Sequence, residues 1–166
     1  MAKASLKGFD DFLASISAIG SNTESIAREA LYDGADIMAN AVKEELGAIP
    51  TVSDNYNLVA YKSGAKMKLS HRQKKGLVES MGIAKFKSEA NGKITTSIGF
   101  DGYNDIKTKK YPKGQPNALI ARVVESGSTY MDKMPFLRKA TNKAKPTVEE
   151  KMKETAENRL RERMEE

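Results

Sequence analysis

The chain contains no cysteine and no tryptophan, and His71 is the only histidine among its 166 residues. Without cysteine there can be no disulfide framework, no thiolate zinc site and no cysteine nucleophile. No apolar run approaches the roughly 20 residues that span a bilayer, and the first residues lack the apolar core of a secretory signal peptide. We therefore expect a soluble protein made inside a cell, without membrane contact.

Groups that could carry out chemistry are scarce as well. No metal-binding spacing surrounds His71, which we predict to lie at a solvated helix start, and there is no phosphate-cradling glycine loop or nucleophile elbow. Asp101 and Asp105 could hold Mg²⁺ in a nuclease, but Asp in a turn-rich loop usually serves turn geometry. We expect no cofactor and no enzymatic activity, and a metal-dependent nuclease is the weakest alternative.

The net charge of +6 is unevenly distributed along the chain. Residues 1–60 carry a net charge of −5, residues 61–145 carry +13 and residues 146–166 carry −2. Such segregation suits a surface that faces DNA, or copies that pair acidic faces with basic ones. The alternative is a solvated basic loop region.

Apolar spacing predicts helices at the N-terminal end. Residues 8–19 place Phe9, Phe12, Leu13, Ile16 and Ile19 at helical spacing. Ser21 and Glu24 then have capping-box spacing at the start of a long helix over about 23–46. Gly34 lies inside its apolar stripe, where another backbone could approach closely.

The rest of the chain alternates polar loops with shorter elements. Residues 51–70 and 101–117 are polar and are predicted as long loops. Further helices are predicted over 70–80 with Ser70 as the cap and from Pro135 onward. Pro146 is expected to kink or restart this last helix. Residues 118–125 could form a short helix or a strand, and the helix, ending at Gly127, is favoured by their apolar spacing.

Residues 81–88 and 93–100 predict a β-hairpin around Asn91 and Gly92, because both turn residues tolerate positive φ. One face of the first strand is predicted to carry Ile83, Lys85 and Lys87, and one face of the second Ile94, Thr96, Ile98 and Phe100. The predicted fold class is α+β: a long N-terminal helix and a C-terminal helix pack on a small antiparallel sheet containing the 81–100 hairpin, with long extended loops. Residues 1–166 form a single domain, from which the C-terminal helix, about 146–166, can project.

Two lysine-rich segments with tyrosines are candidates for contact with DNA or with a neighbouring copy. The first contains Lys62, Lys66, Lys68, Arg72, Lys74 and Lys75, and the second contains Lys107, Lys109, Lys110 and Lys113. Such segments could contact phosphates without reading sequence. A solvated loop, or a loop that contacts an acidic face of another copy, is slightly favoured over DNA contact because no DNA-reading motif accompanies the charge.

Two segments resemble the family of siphophage minor tail components that complete the tail and join it to the head. They are Ala-Arg-Val-Val-Glu-Ser-Gly-Ser at 121–128 and Lys-Met-Pro-Phe-Leu-Arg-Lys-Ala at 133–140. Upstream, Gly-Leu-Val-Glu-Ser-Met at 76–81 is similar to the family's Gly-Leu-x-x-Ser-Ile. The matching positions are Gly76, Leu77, Ser80, Glu125, Gly127, Pro135, Phe136, Leu137, Arg138 and Ala140. Ser126 stands where an aromatic is common, and Lys139 stands where proline is common.

These motif residues suggest scaffold roles. Gly127 permits a tight turn after the 118–125 segment, and Pro135 favours the start of the next helix. Phe136 is expected to fill the core beneath the hairpin. Arg138 could pair with Glu125 across the corner between the two segments.

The resemblance implies a structural virion protein at the neck or top of the tail of a tailed bacteriophage, assembled in the host bacterial cytoplasm. Family members work as copies in a ring, which we expect to be a hexamer. The implied partners are other copies, neighbouring tail terminator, head-completion or tail tube proteins, and the phage double-stranded DNA in the channel. The alternative is a sequence-independent nucleic-acid-binding protein that uses the basic central loops.

Overall fold

The structure, a computed structural model, describes residues 23–89 and 93–165. The helices are α1 (Thr23–Ala48), α2 (Asp54–Ser63), α3 (His71–Ser80), α4 (Asn117–Ser126) and α5 (Phe136–Met164). The strands are β1 (Met81–Ile83), β2 (Lys87–Ser88), β3 (Ile94–Thr95) and β4 (Ile98–Phe100). The α+β prediction is confirmed. The predicted helical stretch 8–19 and the Ser21 cap lie outside the described residues.

Helices α1 and α5 pack along each other and form one of two apolar clusters. Ile26, Ala30 and Met38 of α1 are buried with Val148, Met152 and Ala156 of α5. Gly34 is closely approached, but by a side chain and not by the backbone that the sequence suggested: an added Cβ would lie 2.6 Å from both Cγ and Sδ of Met152. The second cluster lies where the C-terminal end of α1 meets the N-terminal end of α5. It contains Leu46, Leu77, Phe100, Val124 and Phe136.

Helix α5 continues through Pro146, so of the two predicted effects, a kink or a restart, the restart does not occur. The proline is exposed, while Ala144 and Val148 on either side of it are buried against α1. Burial on both sides holds the two halves of the helix on one surface despite the missing backbone donor. The helix does not project from residue 146, because Leu160 still packs against the same cluster.

The predicted hairpin forms two short antiparallel ladders, and its turn at 90–92 lies outside the described residues. Ile83 faces Ile98 in the β1–β4 ladder, and Lys87 faces Thr95 in the β2–β3 ladder. Three residues of the first strand, 84–86, therefore oppose two of the second, 96–97, as in a β-bulge.

The extra residue interrupts the alternation that the sequence predicts for the first strand. Phe86 is half-buried, whereas Lys85 and Lys87 are exposed, so they do not share a face with Ile83 as expected. On the second strand the predicted apolar face is confirmed at its buried residues Ile94, Ile98 and Phe100.

The prediction of a loop over 51–70 is wrong, because this segment contains α2. The Ser53 hydroxyl accepts a hydrogen bond from the Tyr56 amide at 3.2 Å and caps the helix, and Gly64 ends it with φ 75°. The Asn57 side chain exchanges hydrogen bonds with the backbone of Lys68 at 2.7 and 2.9 Å. Only Ala60 of α2 is buried, so the segment has no apolar stripe that could have indicated a helix.

The remaining local predictions agree with the structure. Helix α3 carries the predicted Ser70 cap, completed by Gln73 as a capping box, and its first residue, His71, is exposed. The segment 101–116 contains no helix and no strand beyond an isolated bridge at Tyr103. Among the described helices, none is long and apolar enough to cross a membrane.

Candidate functional site

The corner between α4 and α5 joins the two motif segments through Glu125. Its Oε2 accepts a hydrogen bond from the Leu137 amide at 2.8 Å, and its Oε1 accepts one from the Arg138 amide at 3.1 Å. The N-terminal amides of a helix lack partners within the helix, and Pro135 supplies no side-chain cap. Glu125 therefore caps α5 from the preceding helix, and its bonds to Arg138 run through the backbone amide, not through the guanidinium as predicted.

The other motif residues of this corner lie where the predicted scaffold roles require. Gly127 has φ 76° and its amide donates to the Val123 carbonyl at 2.8 Å, which ends α4. The Phe136 ring is 1% exposed and meets the Phe100 ring edge-on, with centroids 5.9 Å apart. Leu77, Leu137 and Ala140 are buried in the same cluster.

Gly76 and Ser80 connect α3 to the segment that follows β4. An added Cβ on Gly76 would lie 2.9 Å from Cβ of Asn104 and 2.9 Å from Oδ1 of Asn117. The Ser80 carbonyl accepts a hydrogen bond from the Asp101 amide at 3.1 Å. A side chain on Gly76 would therefore push the 101–116 segment away from α3.

The 101–116 segment carries four of the candidate lysines. They lie on a loop, residues 105–113, which we call the lysine loop. At its base Asn104 is buried, and its Oδ1 accepts hydrogen bonds from the amides of Ile106 and Gln115, both at 3.0 Å. The Gln115 Oε1 accepts from Asn104 at 3.2 Å and from Gln73 of α3 at 2.9 Å. This buried network fixes both ends of the loop to α3.

Gly114 and the Thr108–Tyr111 turn complete the loop's structure. Gly114 has φ 113°, and an added Cβ would lie 1.8 Å from the carbonyl oxygen of Asn104, so only glycine fits there. Thr108 and Tyr111 exchange backbone hydrogen bonds of 3.1 Å across the tip. The loop therefore presents its lysines from a defined backbone.

The side chains of the lysine loop project from the surface. Lys107, Lys109, Lys110 and Lys113 are exposed, and the Lys110 ammonium lies 5.5 Å from the ring centre of Tyr111. Over residues 23–89 and 93–165, no ion pair engages any of the four. Their charge is thus available to an anionic partner.

Two cations of the first lysine-rich segment bond to other parts of the same chain instead. Arg72 donates to both carboxylate oxygens of Asp105 at 3.0 Å and to Asp54 at 3.1 Å, which ties α2, α3 and the lysine loop together. The hydrogen bonds to Asp105, and then to Asp54, raise the pKa of Arg72 above its ordinary value. Lys74 donates to the carbonyls of Gly47 and Ile49 at 2.6 and 2.8 Å, and so caps the C-terminal end of α1.

The other four cations of that segment lie at the surface. Lys66 is 3.9 Å from Asp132, and the Lys68 ammonium lies 5.7 Å from the ring centre of Tyr56. Lys62 is exposed in the last turn of α2, and Lys75 lies within 3.8 Å of Glu79 one helical turn away. Of the six cations, Arg72 and Lys74 therefore connect parts of the chain, and the other four project from the surface.

The two carboxylates considered for a metal have other surroundings. Asp105 is held by Arg72, and Asp101 is exposed. Both line an open cavity of about 570 Å³ between α3 and the 101–105 segment, where Lys75 and Glu79 add charges of both signs. Within the described residues, no group of three or more His, Asp or Glu side chains could hold a metal ion.

Several residues that build these surfaces carried no signal in the sequence. Asn104, Gln115 and Gln73 meet only because the chain brings the loop base against α3. The sequence also gives no indication that the apolar residues of α2 are exposed on a helix, since it predicts a loop there. Comparisons of the chain with family models, with curated proteins and with solved structures gave no match.

Proposed function

We propose that this chain is a structural virion protein of a tailed bacteriophage, located at the neck or top of the tail. In this role it completes the tail and joins it to the head as part of an oligomeric ring, which we expect to be hexameric. It assembles in the host bacterial cytoplasm beside tail terminator, head-completion or tail tube proteins. The observation that carries the proposal is the Glu125 corner, where the two segments that resemble the tail-component family meet.

The corner gives the resemblance a physical basis. Its Glu-x-Gly segment supplies the carboxylate and the helix end, and its Pro-Phe-Leu-Arg segment supplies two amides and the buried ring. Glu125 and its two partners, which lie 12 and 13 positions further along the chain, thus depend on one another. Such dependence explains why the two short motifs would occur together, and it concerns the scaffold, not a reactive group.

A ring also requires two different complementary faces on each copy. The strongly basic central segment and the acidic N-terminal segment provide opposite charges. The exposed lysine loop suits either an acidic face of the next copy or the DNA in the channel. Neither use calls for a catalytic group or a cofactor.

The proposal is tested by placing an amber codon in the gene of the phage that encodes the chain. In a non-suppressing host, electron micrographs should show filled heads and separate tails, and a plasmid copy of the gene should restore joined infectious particles. Joined particles at wild-type titre without the protein would exclude this role. A plasmid encoding Glu150→Ala, an exposed change on α5, serves as the positive control for rescue.

A sequence-independent nucleic-acid-binding protein is the second candidate, favoured by the unpaired lysines of the lysine loop. Salt-dependent, submicromolar binding of the isolated monomer to duplex DNA would support it. Replacing Lys107, Lys109, Lys110 and Lys113 with glutamine should then reduce the slope of log K against log salt by about 3 to 4. A matched variant with glutamine at four exposed lysines elsewhere (Lys43, Lys139, Lys145 and Lys153) should leave most of the slope in place. Equal losses in the two variants would exclude a specific role for the loop.

A further inference from the structure

Helix α2 presents apolar side chains to solvent in place of burying them. Leu58, Val59 and Tyr61 are 53%, 59% and 60% exposed, and Tyr130 from the segment before α5 is 56% exposed. The centre of the Tyr130 ring lies 5.9 Å from that of the Tyr61 ring, and Leu58, next to Val59, lies one helical turn before Tyr61. We call these four residues the α2 patch. A surface helix normally turns such residues toward the core, and contiguous exposed apolar surface marks an interaction site.

The rim of the α2 patch is basic. Lys62 lies within α2, Lys66 contacts the Ser128 carbonyl two residues before Tyr130, and Lys68 is exposed nearby. The Asp54 carboxylate at the start of α2 is paired with Arg72. The Asp132 carboxylate is the remaining acid of this rim, and it lies 3.9 Å from Lys66. The occupant that fits is therefore an apolar segment carrying negative charge.

The chain itself contains such a segment, residues 8–19. It carries five large apolar residues at regular spacing, Phe9, Phe12, Leu13, Ile16 and Ile19. Its charged residues are Asp10 and Asp11, and no lysine or arginine occurs between Lys7 and Arg28. Both its apolar character and its charge are complementary to the α2 patch.

This segment cannot dock as a whole on the α2 patch of its own chain. The patch lies at the end where α1 finishes. The Met67 amide donates to the Tyr130 carbonyl at 2.7 Å, and the neighbouring residues Leu69 and Met131 are buried in one cluster with Leu46 of α1. From Thr23, where α1 begins, the far end of the helix is about 38 Å away. Ile16 is seven residues before Thr23 and can reach at most about 25 Å even on a fully extended chain. Ile16 and Ile19 therefore cannot contact this patch, and only the part of the segment up to about Phe12 spans the distance.

We propose that residues 8–19 of one copy dock on the α2 patch of a neighbouring copy. The contact joins opposite ends of two chains, so it is heterologous and generates a ring when the rotation closes. It deepens the proposed function, since it names the contact that would hold the ring together. The docking itself is a property of the purified chain and can be tested without the virion.

Cysteine cross-linking tests the docking directly, because the chain has no native cysteine to compete. Full-length Ile16→Cys and ¹⁵N-labelled Val59→Cys chains are mixed, oxidised and analysed by mass spectrometry for the mixed dimer. We expect several-fold more mixed dimer than in a control mixture with Glu150→Cys, an exposed position on α5. Equal yields in the two mixtures, no mixed dimer, or an intrachain disulfide in the double variant would each overturn the proposal.

Introducing a charge at the same contact gives an independent test. Val59→Asp and Phe12→Asp should each shift the full-length chain to monomer in sedimentation velocity. Val78→Asp, at a valine of α3 that is 40% exposed, should not. Assembly that survives both the Val59→Asp and the Phe12→Asp change would overturn the docking. The virion role is tested separately by the amber mutant.

Discussion

Removing the Glu125 carboxylate should destabilise the fold through the first turn of α5. In the Glu125→Ala variant the Leu137 and Arg138 amides lose their acceptor, and the helix N-terminus loses a favourable negative charge. Loss of a cap costs about 1 kcal/mol, and the charge adds up to about 1 kcal/mol more. We therefore expect the free energy of unfolding to fall by about 2 kcal/mol and the melting temperature by about 4–8 °C.

Two further variants identify the partner of this carboxylate. Glu125→Gln keeps an oxygen acceptor but not the charge, so its loss should be about half as large, roughly 1 kcal/mol. Arg138→Ala should change stability by less than about 0.5 kcal/mol, because the exposed guanidinium is not the partner.

Urea unfolding followed by circular dichroism at 222 nm measures all three changes, with Glu150→Ala as the control on the exposed face of α5. The capping account is refuted if Arg138→Ala costs as much as Glu125→Ala, since a guanidinium bridge would then be the principal contact. It is equally refuted if Glu125→Ala and Glu150→Ala are indistinguishable.

Two other substitutions test the anchors of the lysine loop and of α1. Gly114→Ala would drive a methyl group into the Asn104 carbonyl at positive φ, and should lower the free energy of unfolding by about 3 kcal/mol or more in thermal unfolding. Gly47→Ala is the control: nothing lies within 4 Å of its added Cβ, so the change should be neutral or stabilising by up to about 1 kcal/mol. Lys74→Met removes two hydrogen bonds to the end of α1 and should cost about 1–2 kcal/mol in urea unfolding, whereas Lys75→Met on the exposed side of α3 should cost less than about 0.5 kcal/mol. Equal effects within either pair would contradict the assigned contacts.

The features that the sequence predicted well are those encoded by neighbouring residues. Helix α1 has a continuous apolar stripe, and α3 has a local capping box at Ser70 and Gln73. The second hairpin strand alternates regularly, so its buried residues Ile94, Ile98 and Phe100 were identified from spacing alone. In each case the signal lies within the segment that forms the element.

The features that were missed depend on contacts between distant segments. Helix α2 buries only Ala60, so its local capping by Ser53 and Gly64 was not accompanied by any apolar periodicity. The bulge at 84–86 depends on the register of the opposite strand. A single inserted residue is enough to break the predicted alternation of Lys85 and Lys87.

The candidate cations show the same limit at the level of single side chains. Lys74 and Lys75 are adjacent and identical in type, yet one caps α1 and the other lies at the surface. The difference is set by the position of the α1 carbonyls in space. Likewise, the motif placed Glu125 near the α5 segment, but only the structure shows that it bonds to backbone amides.

Locating the protein in the particle tests the central proposal most directly. Purified phage from the source that encodes the chain would be labelled with gold-coupled antibodies and imaged by electron microscopy. The proposal predicts gold at the junction of head and tail in wild-type particles and none in particles from the amber mutant. Particles without label at the junction, with the protein recovered only in the soluble cell fraction, would contradict it.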